Sequence, residues 1–180
     1  MNVIQFKIGI LLGDGFHFLQ VQYPFFRLRE EGYFPELIGE RVGLPVYPGK
    51  WEQRISTTID FFQALREHWD LLIIPGGLVA SQAVFILIHE AYLRGTVVAA
   101  IDSGVNILAR SGILEYRRCS ARHLPFMDIV LREAGAIRSE APVTFDARTL
   151  TAGEVVDLPL FVLKILEILD RFQAVLERSE

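Results

Sequence analysis

Residues 97–106 read Val-Val-Ala-Ala-Ile-Asp-Ser-Gly-Val-Asn, an apolar run that passes through a small-residue turn into a helical pattern. A buried strand that feeds straight into a helix must turn a sharp corner. The corner side chain is pushed out above the sheet, and the backbone N–H groups that follow can face negative charge. Here that side chain is Asp102. Two other runs end in the same way: Ile8 to Leu12 stops at Gly13-Asp14-Gly15, and Leu71 to Ile74 stops at Pro75-Gly76-Gly77. Short continuous apolar runs bounded by glycine turns predict parallel strands buried on both faces.

The intervening segments have helical periodicity. One helix runs through Arg27-Leu28-Arg29-Glu30-Glu31 to a glycine stop at Gly32; others are predicted over Thr57 to Trp69, from Ser81 to near Gly95, over Gly104 to Ser111 and over Pro125 to Gly135. Phe34 to Ile38 reads as a second strand, Gly39 to Trp51 as a loop, and residues 137–152 as short strands. In the final helix, which starts at Asp157-Leu158-Pro159, Leu158, Val162, Ile165, Leu169, Phe172 and Leu176 recur at spacings of four and three, and Phe161, Ile168 and Val175 widen the stripe. Such a stripe suits a helix docked along a sheet. The rhythm predicts an α/β fold: a doubly wound, mostly parallel sheet with helices on both faces and ligands beyond the carboxyl ends of the strands. Residues 1–180 read as a single domain without repeat or linker.

Composition excludes several classes of function. The chain is 51% hydrophobic with a net charge of only −4 and interspersed signs, so no face is expected to attract nucleic acid or anionic lipid. No apolar run approaches the ~18 residues of a membrane span, and no leader pattern opens the chain. The single cysteine, Cys119, has no internal disulfide partner, which suits a reducing compartment, and a cytoplasmic location is expected. No paired histidines or dense acidic cluster provide metal-ligand spacing, and Gly13-Asp14-Gly15 lacks the full dinucleotide pattern. Neither metal nor cofactor is expected.

Several short motifs occur in a fixed order: Lys7 to Leu12, Tyr23-Pro24 with Arg27-Leu28 and Glu30-Glu31-Gly32, Ile74-Pro75-Gly76-Gly77, Ala100-Ile101 with Gly104, Glu133-Ala134-Gly135-Ala136 and Asp157-Leu158-Pro159. Together they resemble the ThiJ/PfpI superfamily over nearly the whole chain. The resemblance implies a flavodoxin-like sheet of the class I glutamine amidotransferase type, and a homodimer or higher homo-oligomer. Its members include peptidases, glyoxalase or deglycase-like enzymes, isocyanide hydratases, chaperones and stress sensors.

The superfamily elbow reads Ala-Ile-Cys-His-Gly, with the cysteine as nucleophile; this chain has Asp102 and Ser103 at those two positions. A carboxylate four residues before the Tyr-Pro proline tunes that cysteine, and here the position is Gln20. A glutamate common seven residues before that proline is His17, and a glutamate four residues after Pro-Gly-Gly in the peptidase branch is Ser81. The segment framing the pocket is Ala152-Gly153-Glu154-Val155. Gly76, Gly77 and the N–H groups of Ser103 and Gly104 retain the makings of an anion-binding rim.

Two of these changes are physically coupled. A glutamate beside Asp102 would crowd two carboxylates, whereas the Gln20 amide can donate to Asp102 and favour a charged, structurally settled side chain. Aspartate also tolerates left-handed backbone better than most residues, and its shape resembles an oxidised cysteine sulfinate. Ser103 is expected to make a helix-start hydrogen bond. His17 is the histidine best placed for the pocket, while His68, His89 and His123 read as surface residues. Cys119 reads as a small residue in a strand, and Arg110, Arg117, Arg118 and Arg122 as a solvated face.

The expected pocket is therefore His17, Gln20, Gly76, Gly77, Asp102, Ser103 and Gly104. The leading expectation is a stress or regulatory protein without the cysteine nucleophile, binding a small ligand or partner without catalysis. The alternatives are a remodelled hydrolase, glyoxalase or lyase site using Asp102 with Ser103 or His17, and a chaperone-like homo-oligomer.

Overall fold

A computed structural model describes residues 5–43, 45–46 and 55–178. Strand β1 (Ile8–Leu11) leads into helix α1 (Phe18–Glu30), followed by β2 (Glu36–Gly39), a small antiparallel pair β3 (Pro45–Val46) and β4 (Ile55–Ser56), then β5 (Ile59–Asp60) and the short α2 (Phe61–Arg66). The centre of the chain continues as β6 (Leu71–Ile74), α3 (Gln82–Leu93), β7 (Val97–Ile101) and α4 (Gly104–Arg110). The last third adds β8 (Arg118–Cys119), α5 (Pro125–Glu133), β9 (Ile137–Arg138), β10 (Val143–Asp146), β11 (Thr149–Ala152), a 3-10 turn and α6 (Leu158–Glu177).

Seven strands form one sheet in the order β10-β11-β7-β6-β1-β2-β5, parallel throughout except for the antiparallel edge strand β10. The chain builds outward from β1 through β2 and β5, then crosses back to place β6 on the opposite flank of β1. The doubly wound sheet expected from the periodicity is thus present, with its switch point between β1 and β6.

Each strand divides its side chains between two cores. Ile8, Ile10 and Leu12, with Leu71, Ile73 and Ile101, pack toward α1 and α6 against Val21, Leu28, Phe161 and Ile165. Leu11, Ile38, Leu72, Ile74 and Val98 face the opposite layer, against Val84, Leu87, Leu108 and Met127. Burial on both sides explains why these strands show unbroken hydrophobic runs rather than alternation.

Four expectations need correction. The helix predicted from Thr57 to Trp69 is only Phe61–Arg66, because Ile59 and Asp60 pair with β2 and Thr58 exchanges backbone and side-chain hydrogen bonds with Leu37. Sheet-edge pairing outweighs helical periodicity there, and a reciprocal Asp60–Gln63 cap starts the helix late. The second strand is Glu36–Gly39 rather than Phe34 to Ile38, and the expected loop after it contains β3. Leu44 and residues 47–54 of that region lie outside the described residues. The stripe of α6 is buried through Leu169, but Val175 and Leu176 are exposed. Twenty helical residues span ~30 Å, more than the strands they cover, so the last turns run past the sheet.

Gly104 shows how tightly β7 and α4 close on β6. A Cβ there would meet the backbone carbonyls of Ile74 and Pro75, the latter at 2.9 Å. Those atoms belong to strand and turn and have little room to move. Gly104→Ala should therefore destabilise the protein by about 2 kcal/mol or more in denaturant unfolding.

Cys119 lies in β8 as expected for a small strand residue and is fully buried. Burial pushes its thiol up to about 11, with Arg138 opposing the shift. The folded state therefore keeps the proton to higher pH than the unfolded state. The stability this contributes is present below the unfolded pKa and falls as pH rises from about 9 to 11. Cys119→Ala should flatten that part of the stability–pH curve, measured by urea unfolding from pH 8 to 11.

Candidate functional site

The corner between β7 and α4 is left-handed. Asp102 has φ of 56°, and its N–H donates to the Ala152 carbonyl at 3.0 Å, which ties the corner to the end of β11. Non-glycine residues rarely adopt this conformation; aspartate is among those that tolerate it best, and strain of this kind concentrates at functional sites. The carboxylate is lifted above the sheet but largely covered, with 15% of the side chain exposed.

Gln20 reaches the corner from the first turn of α1 and is fully buried. Its Nε2 donates to Asp102 Oδ2 at 3.2 Å, and its Oε1 accepts from the Gly76 N–H at 2.6 Å. One side chain thus joins α1, the β6 loop and the elbow. Pro24, four residues later, lacks the N–H that would bond the Gln20 carbonyl, so α1 loses one rung above the site.

Ser103 behaves differently from the expected helix-start bond. Its hydroxyl makes no cap on α4; it accepts from the Gly77 N–H at 2.8 Å, across the gap to the β6 loop. The Gly76 and Gly77 N–H groups of the expected anion rim are therefore both engaged by side chains of the protein itself. Gln20 and Ser103 supply the oxygens that an outside anion would otherwise bring. Asp102 meets α4 through its backbone carbonyl, which accepts from the Val105 N–H at 3.1 Å.

His17 precedes α1, and its N–H donates to the Gly76 carbonyl at 2.8 Å. Its ring Nε2 stands 3.9 Å from Asp102 Oδ2, with 54% of the side chain exposed. An imidazolium there would pair with the carboxylate. The structure thus brings together His17, Gln20, Gly76, Gly77, Asp102, Ser103 and Gly104. Ser81 is the exposed residue before α3, with no hydrogen bond from its side chain to that helix. Among the described residues, no group of three or more His, Cys, Asp or Glu side chains has the arrangement of a metal site.

The expected site residues omit Gly15, the partner of one of them. Gly15 and Gly77 press their backbones together; Gly77 has φ of 79°, and a Cβ on it would run into the Gly15 carbonyl. The two glycine turns were visible in the sequence, but their mutual approach was not.

A flavodoxin-like sheet with a helix-forming elbow after an interior strand, β7, defines a class, and the relatives of the chain identify the family within it. The chain belongs to the DJ-1/PfpI family, whose profile matches residues 6–168. It is 27% identical over 171 residues to an uncharacterised protein of Archaeoglobus fulgidus, covering 92% of this chain and 99% of the relative. It is 25% identical over 168 residues to a protein named a deglycase from Thermococcus kodakarensis, covering 91% and 99%. Schizosaccharomyces pombe DJ-1 shares the fold with a TM-score of 0.77 at 20% identity, over 96% of this chain and 97% of that one. A two-domain protein of Anabaena variabilis with DJ-1/ThiJ/PfpI-like and ferritin-like domains gives 0.85 at 20% identity; it matches 92% of this chain, which spans 48% of that longer one. No helix among the described residues is long and apolar enough to cross a membrane.

Gln20→Glu tests the central hydrogen bonds. At neutral pH it would bury a second carboxylate against Asp102 and remove the amide donor, lowering stability by about 3 kcal/mol. Acidification protonates one carboxyl and restores a donor, so the deficit relative to wild type should shrink from pH 8 to pH 5 in urea unfolding.

Proposed function

We propose that this chain is a DJ-1/PfpI protein without the family's cysteine nucleophile, acting by binding a small ligand rather than by turnover. The observation that carries this reading is the internal occupation of the elbow. Gln20 Oε1 and Ser103 Oγ hold the Gly76 and Gly77 N–H groups, and the corner side chain is Asp102. An oxyanion formed in a reaction would have to displace both oxygens before those donors could stabilise it. Cys119 supplies no substitute nucleophile: it is fully buried, and its thiol is held protonated at neutral pH.

One contact favours a second reading. His17 Nε2 at 3.9 Å from Asp102 Oδ2 is the arrangement from which an aspartate-based hydrolase or lyase would be built, with His17 as acid or base. The exposure of His17 and the internal bond from Gln20 support the binding reading over it.

Some relatives are named deglycases, so the discriminating assay is glyoxal and methylglyoxal consumption by wild type and Asp102→Ala. The expected result is no consumption above the uncatalysed rate in either protein. Turnover by wild type that falls at least 100-fold in Asp102→Ala would overturn the binding reading in favour of the enzyme.

A further inference from the structure

The elbow is not the roomiest place at this end of the molecule. A groove of about 580 Å3 opens where the loops after β1, β2 and β6 meet the starts of α2 and α3. It lies at the carboxyl ends of β1 and β6, between which the strand order turns back. This is the crevice in which open α/β sheets hold their ligands, and its volume falls in the ordinary range for small-molecule sites. The groove does not include His17, Gln20, Asp102 or Ser103. Gly15 and Gly77, whose backbones are apposed, are likewise absent from its lining.

Its floor is apolar, with Leu12, Phe61 and Ala83. At its edge Phe62 and Val79 are 76% and 77% exposed. Single exposed hydrophobic residues are ordinary, but two flanking one cavity extend an apolar surface a ligand can cover. Its charged lining residues are Asp14, Glu40 and Arg41, and the side chains of Glu40 and Arg41 make no ion pair or hydrogen bond to another described residue. Both Glu40 and Arg41 are exposed to water, so a ligand that covers them must replace their hydration; an apolar ligand replaces neither, and a singly charged one only one.

We propose that this groove binds a zwitterion with an apolar body, an apolar α-amino acid or a molecule built like one, with its ammonium group toward Glu40 and its carboxylate toward Arg41. The apolar body lies against Phe61, Phe62 and Val79, and the two charge-assisted contacts fix its direction. This rests on reading the chain as a binding protein but assigns the ligand to a place other than the elbow.

The test is calorimetric titration of the whole chain at pH 7 with L-phenylalanine, 2-phenylethylamine and phenylacetate. L-Phenylalanine should bind saturably, and each singly charged analogue about 10-fold or more weakly. Arg41→Gln should weaken L-phenylalanine about 10-fold and leave 2-phenylethylamine unchanged, Phe62→Ala should weaken L-phenylalanine and its amine analogue alike, and Asp102→Ala should change none. Both groove substitutions are at exposed positions, and circular dichroism checks that the fold is intact. Absence of saturable L-phenylalanine binding, equal affinity for all three probes, or indifference to Arg41→Gln and Phe62→Ala would overturn the proposal. Binding lost in Asp102→Ala but kept in both groove variants would overturn the groove while leaving the binding function standing. Asp102-dependent glyoxal turnover would overturn the binding function and leave the groove to these titrations.

Discussion

The carboxamide of Gln20 holds three separate parts of the chain at one buried point. It accepts from Gly76 at the end of β6 and donates to Asp102 at the end of β7, while its own backbone belongs to α1. An amide can do this because it has both a donor and an acceptor and carries no charge. A carboxylate in the same place would lack the donor toward Asp102, and an apolar side chain would leave the Gly76 N–H without a partner and Asp102 without its amide donor. The helix start, the glycine turn and the left-handed corner are consequently fixed relative to one another by a group that needs no solvent. The Ser103 hydroxyl on the Gly77 N–H adds a second tie across the same gap.

This internal satisfaction separates geometry from chemistry. A left-handed corner, close glycine packing and a helix beginning directly after the strand are all present at the elbow. The same architecture that can expose a nucleophile and a set of N–H donors here presents a carboxylate, with two of the nearby glycine N–H groups already bonded. Open space lies instead where the loops after β1, β2 and β6 meet the starts of α2 and α3. The division follows from topology. The loop after β1 borders the elbow through His17 and the groove through Gly13 and Asp14, so one short segment lines both.

Much of the architecture was legible because burial on both faces leaves an unmistakable mark. Strands β1, β6 and β7 each read as unbroken apolar runs closed by glycine or by the corner, and α3, α4 and α5 follow from their periodicity and stops. The errors fell where long-range pairing overrides local preference. Thr58, Ile59 and Asp60 sit in a helical pattern, yet their backbone partners on β2 are about twenty residues away. Phe62 carries no local signal that distinguishes a core residue from one at the lip of a groove. Ser103 was recognisable as a helix-start residue, but its bonding partner, Gly77, belongs to another loop.

Residue type and spacing along the chain were enough to mark β1, β6 and β7, helices α3, α4 and α5, and the aspartate at the corner after β7, because each of these is written in a local pattern. Only the assembled sheet settled that Gln20 and Ser103 occupy the glycine N–H groups, that His17 stands 3.9 Å from Asp102, and that the backbones of Gly15 and Gly77 meet. Each of those outcomes is a meeting between loops brought together only by the sheet, and a hydrogen bond or backbone contact across such a distance leaves no periodic trace in the chain.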